Sequence, residues 1–571
     1  MVKTVQIPGR GLNPGMFRAY DVRGFVRNTF VKRKLIYPKD LYPETAYHIG
    51  SALGTRLKPG QKVLISGDHR DSTTRLMVYL AKGYRETGIH VDISFEAVPT
   101  AGNNWYLITR NYDGAVQIAG SHNPPEFNGL KISEGLTALH GNKLQELIPM
   151  IEAELANPGS AYRTVSKEQM GQLSEVDINS PYYKALDRAF SEFRHPWRII
   201  LDAHNGMGDG LASLFEAKGA EVEGRYLERD GEFPNGPADP SRPASVEETL
   251  GLVTERNKSL KSGEIPWIAC FIDGDADRSG FGDEKGQVVD PEKMASIFYR
   301  DYLLHPSHAG HFMAMDVRAS TSAEQIVRQN GGKGVFIQAG YPSHRQFASA
   351  IIPTIGKKGT TFRSSEASGH HFNPTAATDE NGKSIPWGTD LLVDDGLYSA
   401  LLFMQLLDQA DQTPEIAKLQ PSRKSKRFSL SEFMATIPSA PTSPEIRTPC
   451  PDSVKFEIIK RIIKQFQTNP EGLRQPLGEV IHHEGLRLQE TTNGLILVDG
   501  VRAQYEEGSF GLVRASNTSP NLTYRFEALT EKGLLFRMKQ FRDLLAPYTS
   551  EGLELDPFDN AIGAQAQKLE K

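Results

Sequence analysis

The stretch Lys62-Val63-Leu64-Ile65-Ser66-Gly67-Asp68 is a short apolar run that ends on a carboxylate. A helix-like segment follows from Ser72 to a stop at Gly88, and Val91 to Phe95 then alternates as a strand does. The same order returns twice. Trp197 to Leu201 ends on Asp202, its helical segment stops at Gly219, and a second strand begins near Val222. Phe312 to Met315 ends on Asp316, its helix runs from about Ser320 to Gly331 and Gly332, and Val335 to Ile337 follows. Strand, polar turn, amphipathic helix, glycine stop and strand is the signature of a βαβ unit in a mostly parallel sheet. Three copies at domain-length spacing predict three related α/β domains built by duplication.

The remainder reads differently. Phe456, Ile458, Ile459, Ile462 and Ile463 have helical spacing, short strand-like runs such as Leu495 to Val498 follow, and a last helix is expected near Lys532 to Leu545. These predict a smaller α+β domain. The boundaries divide the chain into residues 1–179, 180–291, 292–445 and 446–571. The polar tail from Ser550 reads as poorly ordered. Asn373 to Pro386 and Leu406 to Pro451 read as insertions or linkers.

The 571 residues fit four such pieces at roughly 150 residues each. Lys and Arg total 65 against 70 Asp and Glu, so no basic excess is present to meet nucleic acid. No run approaches the roughly 20 apolar residues that cross a bilayer, and Met1 to Arg10 has no apolar core of the secretory kind. Two cysteines, Cys270 and Cys450, exclude a disulfide framework and fit a cytoplasmic setting. A monomer or weak homodimer is expected.

Four loops offer chemistry. Gly120-Ser121-His122-Asn123-Pro124-Pro125 follows the apolar run Ala115 to Ile118. A serine just past a strand end is placed as a nucleophile or phosphoryl carrier, and Lys131 is an acid/base candidate if neighbouring cations lower its pKa. An ordinary Asn/Pro turn is the alternative. Asp273-Gly274-Asp275-Ala276-Asp277-Arg278 follows the run Trp267 to Ile272. Carboxylates at i, i+2 and i+4 share one side of an extended chain and call for a hard divalent cation. A calcium loop of the EF-hand type is disfavoured, because Arg278 stands where that loop needs glycine. Ser365-Glu366-Ala367-Ser368-Gly369-His370 offers donors and acceptors for sugar hydroxyls. Arg514-Ala515-Ser516-Asn517-Thr518-Ser519-Pro520 suits a phosphate, with Arg502 and Arg525 nearby in sequence.

Together with Phe17-Arg18-Ala19-Tyr20-Asp21-Val22-Arg23-Gly24, these loops occur in the order seen in the α-D-phosphohexomutase superfamily. The set resembles its phosphomannomutase/phosphoglucomutase branch over about residues 10 to 545. The resemblance implies three α/β domains and an α+β domain around a central cleft. It implies an isomerase that moves phosphate between O1 and O6 of a hexose through a phosphoserine and a hexose 1,6-bisphosphate. Ser121 matches the phosphorylated serine. Asp273, Asp275 and Asp277 match the ligands of one Mg²⁺, completed by a phosphoserine oxygen. Arg23, Lys131 and Arg278 match groups that steady the phosphoryl group or shuttle protons. Glu366, Ser368 and His370 match the sugar loop, and Arg514, Ser516, Asn517 and Thr518 the loop on the non-reacting phosphate. Tyr20, His122, Arg318, Tyr341 and Arg525 are further substrate contacts by the same resemblance. That phosphate loop must serve both orientations of the intermediate, which suggests a hinged fourth domain. Arg318, Tyr341 and Ser365 depart from the residues usual there (Lys, His and Gly), all on the substrate side. A phosphoglucosamine mutase and a non-catalytic phosphosugar-binding protein are the alternatives. Retention of Ser121, the three aspartates and Lys131 argues for catalysis.

Overall fold

The computed structural model describes residues 5–8, 11–31, 34–347, 363–366, 368–373, 379–381, 393–419, 427–483, 486–516 and 520–570. They form two compact units, Met1–Val289 with Gly369–Phe433, and Asp290–Ser368 with Met434–Lys571. The strand–Asp–helix–Gly repeat is present in all three places. Lys62–Gly67, Arg198–Asp202 and Phe312–Asp316 are strands, and Thr73–Glu86, Gly210–Ala217 and Thr321–Gln329 are the helices after them. Each helix is closed by a glycine in the left-handed region, Gly88 at φ 86°, Gly219 at 90° and Gly331 at 77°, which a side chain would disfavour.

In the first unit, one sheet runs in the order Val22–Phe25, Phe127–Glu134, Gly114–Ile118, Lys62–Gly67, His90–Ile93 and Leu173–Glu175. Lys62–Gly67 is parallel to Gly114–Ile118 and His90–Ile93, while Phe127–Glu134 returns antiparallel. A second sheet orders Glu221–Arg225, Arg198–Asp202, Trp267–Ile272 and Ser279–Gly282, the last antiparallel. Gly114–Ile118 is buried along its whole length, Gln117 included, and so shows no apolar–polar alternation.

In the second unit, Phe312–Asp316 lies parallel to Lys333–Ile337 and Arg363–Ser365. Leu486–Glu490, from far along the chain, pairs antiparallel with Lys333–Ile337 and extends this sheet. The C-terminal sheet is antiparallel throughout: Ile446–Pro449, Asn521–Glu527, Phe510–Ala515, Val501–Gln504 and Leu495–Ile496. Met313, Met315 and Phe336 share one buried cluster with Ile496, Val498, Phe510 and Leu512. The third and fourth sheets of the chain therefore share a core, and the hinge expected between them has no free boundary there.

Two expectations are corrected. The tail from Ser550 is ordered: Asp556–Glu570 is a helix, with Leu553, Leu555 and Phe558 buried. Phe558, Ala561, Ile562 and Gln565 fall on one helical face, which the polar composition conceals. Leu406 to Pro451 is only partly a linker. Phe428 and Phe433 are buried, and Phe433 lies 6.1 Å from Phe403, which packs on Phe281. Phe456 stays on the solvent face of Asp452–Thr468, whose buried face is Lys455, Ile458, Ile459 and Ile462. Of Asn373 to Pro386, residues 374–378 and 382–386 lie outside the described residues. No helix among the described residues is long and apolar enough to cross a membrane.

The docked tail has a measurable weight. Phe558 lies edge-on to Tyr524 at 4.9 Å and to Phe526 at 5.6 Å. Phe558→Ala is expected to destabilise the second unit by about 3–5 kcal/mol, the range for a buried Phe-to-Ala change. Urea unfolding checks this, and an unchanged midpoint would show that the helix is not docked.

Candidate active site

The aspartate that ends each repeated strand makes the same local bond. Its Oδ1 accepts the backbone N–H two residues on: Asp68 from Arg70 at 3.2 Å, Asp202 from His204 at 3.0 Å and Asp316 from Arg318 at 2.6 Å. This turn halts the strand and turns the chain into the helix. In the first copy it also builds the serine loop. Gly120 donates its N–H to Asp68 Oδ2 at 2.9 Å, and buried Arg70 donates Nε to the same carboxylate at 3.1 Å. Arg70 then reaches the carbonyls of Ser121 at 3.0 Å, Asn123 at 2.6 Å and Pro124 at 2.7 Å. A Cβ on Gly120 would lie 2.3 Å from the Arg70 guanidinium, which would have to leave these bonds to make room. Under these restraints Ser121 is held at φ 51°, a left-handed conformation rare for serine.

Ser121 Oγ lies 3.0 Å from His122 Nδ1, and Arg278 Nη2 is in short contact with the same nitrogen. Burial, with Arg278 beside it, pushes His122 down to about 3, so the imidazole is neutral and orients the hydroxyl rather than taking its proton.

The acidic loop follows the central strand Trp267–Ile272. The aspartates do not share one side of an extended chain. They converge through a tight turn with Ala276 at φ 59°, and their oxygens come within 4.8 Å of one another. Asp273 Oδ1 accepts the N–H groups of Asp277 at 3.0 Å and Arg278 at 3.1 Å, and its Oδ2 accepts Arg278 Nε at 3.0 Å. Thr100 donates its hydroxyl to Asp275 at 2.7 Å. Lys131 Nζ bridges Asp275 at 2.7 Å and Asp277 at 2.6 Å. Burial works against the lysine's charge, but Asp275, Asp277 and Asp394 hold its pKa well above the ordinary lysine value. The expectation of cations lowering that pKa is thus corrected, because the neighbours that dominate are carboxylates. Burial, and then Asp277, push Asp273 up. Burial opposes the charge of Asp277 too, yet Lys131, His370 and Arg278 hold it below the usual carboxylate range.

Even with these cations, Asp275 Oδ1 and Asp277 Oδ1 are buried and accept no hydrogen bond. An all-oxygen donor set with two such atoms fits a hard divalent cation. The acidic loop presses on the serine loop: a Cβ on Gly274 would lie 2.5 Å from the Ser121 carbonyl oxygen.

Arg23 stands on Val22–Phe25, beside the strand that carries Lys131, and donates Nε to Asp21 at 2.6 Å. Tyr20 precedes it, half-buried. His370 belongs to the first unit, its Nδ1 3.6 Å from Asp277 and 3.5 Å from Asp394. Asp394, Arg70 and Asp239, which lies 3.5 Å from Arg278, are site residues that sequence reasoning missed. For Asp394 a signal existed: Val393-Asp394-Asp395-Gly396 repeats the pattern of an apolar residue ending on carboxylates.

The second unit carries the rest. Arg318 donates Nη2 to Asp316 at 2.7 Å and lies 3.8 Å from Glu366. Glu366 accepts the Ser368 hydroxyl at 2.8 Å and the Gly340 N–H at 2.9 Å, just before Tyr341. Arg514 pairs with Asp499 at 2.7 Å, and Ser516 donates its N–H to the Asn521 carbonyl at 3.0 Å. Arg525 pairs with Glu292. Asn517 and Thr518 lie outside the described residues.

Fold and site define a class, an α/β protein with a strained serine loop packed on a buried acidic turn that could hold a metal ion. Residues 15–155 match the family description "Phosphoglucomutase/phosphomannomutase, alpha/beta/alpha domain I", and residues 180–286 match the description of domain II. The chain is 27% identical over 536 residues to a "Phosphoglucomutase" of Neisseria meningitidis, covering 93% of this chain and 96% of that one. It is 29% identical over 523 residues to a "Phosphomannomutase/phosphoglucomutase" of Pseudomonas syringae, covering 91% and 92%. A crystal structure of a phosphoglucomutase/phosphomannomutase family protein from Burkholderia thailandensis has the same fold, with a TM-score of 0.72 and 23% identity over 94% of this chain and 98% of that chain. Residues 15–155 and 180–286 thus match two domains of the phosphoglucomutase/phosphomannomutase family, and the chain is similar over most of its length to proteins of those names.

Two measurements check the geometry. Arg70→Met leaves Asp68 a buried unpaired charge and is expected to cost about 3–5 kcal/mol, visible as a lower unfolding midpoint; an unchanged midpoint would contradict the role given to Arg70. Burial pushes Asp395 up to about 7, while it accepts hydrogen bonds from Tyr182 and from the N–H of Tyr398. The folded state therefore holds a proton that the unfolded chain has lost, and stability falls as pH rises from the ordinary aspartate value towards 7. Asp395→Asn should flatten that slope in melting temperature against pH, and an identical slope would refute the shift.

Proposed function

We propose that the chain is a phosphohexomutase of the phosphomannomutase/phosphoglucomutase type. It interconverts hexose 1-phosphate and hexose 6-phosphate through phospho-Ser121 and a hexose 1,6-bisphosphate. The observation that carries this reading is the packing of Ser121, at φ 51°, against the acidic loop of Asp273, Asp275 and Asp277.

In the first transfer the bond from phosphorus to Ser121 Oγ breaks, and one forms to the free hydroxyl of the sugar. The hydroxyl proton leaves and the serine oxygen regains one. The second transfer reverses this at the other end of the sugar. Such steps need positioning and neutralisation of spreading negative charge more than covalent help. Arg278 and His122 hold Ser121 Oγ in place, and Lys131, kept protonated by its carboxylates, supplies positive charge. Arg23 stands beside it on the neighbouring strand as a further cation. Asp273, Asp275 and Asp277 would hold Mg²⁺, which supplies further neutralisation of the phosphoryl oxygens when bound. Arg318, Glu366, Ser368 and His370 are the sugar contacts. Tyr20, Tyr341 and Arg525 join them, and Arg514, Ser516, Asn517 and Thr518 grip the phosphate that is not reacting.

Ser121→Ala is expected to lower mutase kcat by roughly 1,000-fold or more, as loss of a covalent carrier does. A near-normal rate in a coupled assay would sink the assignment. Chelation should abolish activity and Mg²⁺ restore it. A comparison of kcat/KM for mannose, glucose, glucosamine and N-acetylglucosamine phosphates then fixes the sugar, with the amino sugars expected to be poor.

A further inference from the structure

We propose that Arg502 and Glu527, on strands of the C-terminal sheet, are positioning residues that aim Arg318. By this inference the sheet bearing Arg514 and the loop bearing Arg318 act as one body. The inference rests on the reading of Arg318 as a substrate contact.

The segment Val317 to Thr321 joins the strand Phe312–Asp316 to the helix Thr321–Gln329. Val317, Arg318 and Ala319 donate their N–H groups within the third sheet, to Ile337, Asp316 and Asp316. The Val317 and Ala319 carbonyls accept from Arg502 Nη1 at 2.9 and 2.6 Å. The Ser320 N–H goes to Glu292 at 3.0 Å, and the Thr321 N–H to Glu527 at 2.9 Å. Residues on both sides of Arg318 are thus fastened by two side chains from a sheet almost 200 positions away, both fully buried.

Neither residue is a casual packing choice. Burying a guanidinium is costly, and an apolar side chain would fill the space at lower cost. Arg502 lies 3.6 Å from the ring centre of Phe510 and 4.4 Å from that of Phe336, a setting that fixes the plane of its fork. Burial pushes its pKa down to about 10, against Glu527 and Glu324, which leaves it charged at neutral pH. Glu527 stands at the N-terminus of the helix Thr321–Gln329, where negative charge is favoured.

The link to the phosphate loop runs through the backbone. Arg514 lies on Phe510–Ala515, which is paired on one side with the strand of Arg502 and on the other with the strand of Glu527. Any tilt of the strand bearing Arg514 therefore shifts the groups that fasten the Arg318 loop. Positioning of this kind acts on substrate binding through Arg318.

A double-mutant cycle tests this in the full-length enzyme, with KM and kcat for hexose 1-phosphate measured in Arg318→Ala, Arg502→Met and the double variant. Arg502→Met is expected to raise KM roughly tenfold with kcat within about threefold, and Arg502→Lys to recover part of the loss. In the Arg318→Ala background, Arg502→Met should add less than about twofold to KM. An equal rise in KM with and without Arg318, or no rise at all, overturns the positioning role and leaves the reading of Arg318 intact. A wild-type KM in Arg318→Ala overturns both. Glu527→Gln carries the same cycle with the same outcomes wherever Arg502→Met fails to fold.

Discussion

Three carboxylates buried in one turn cannot stand together without cations, and most of the first unit can be understood as the answer to that constraint. Arg278 comes from the turn itself, Lys131 from the antiparallel strand of the neighbouring sheet, and His370 from a distant part of the chain. Each stands close to an aspartate oxygen, and two oxygens still accept no hydrogen bond. The electrostatic demand therefore exceeds what the side chains supply, which is the condition under which a divalent cation becomes the natural complement. The serine loop packs against that turn and so sets Ser121 beside the acidic cluster.

The repeat explains how the two loops come to face each other. An aspartate at the end of a central strand halts it by accepting an N–H two residues later. The first copy adds Arg70, which carries the restraint across to the serine loop through three carbonyls. Ser121 is held in an unfavourable conformation by buried charge rather than by its own preference. In the third copy the same aspartate holds an arginine that reaches towards Glu366. One local device, copied, positions the Ser121 loop in one place and Arg318 in another.

The strand–Asp–helix–Gly pattern was legible because each part has a local cause: apolar runs for buried strands, carboxylate turns, and glycines that accept positive φ. The acidic triad was legible for the same reason, although its convergence through Ala276 at φ 59° was not, since period-2 reasoning assumes an extended chain. Long-range pairings were out of reach. Nothing local in Leu486 to Glu490 says that it completes the third sheet, and nothing near Arg70 says that it serves residues 121 to 124. The C-terminal helix is hidden by its polar composition, and the direction of the Lys131 shift by carboxylates that arrive from a turn far along the chain.

The central claim is that Ser121 carries the phosphate on a loop built for that purpose. Intact mass and peptide mapping of the purified protein, before and after addition of hexose 1-phosphate in single-turnover amounts, test it directly. The account predicts one phosphate on Ser121 that is lost to the sugar, with hexose 1,6-bisphosphate formed in equal amount. A serine that carries no phosphate under any loading condition, or a phosphate on another residue that turns over in its place, would contradict it.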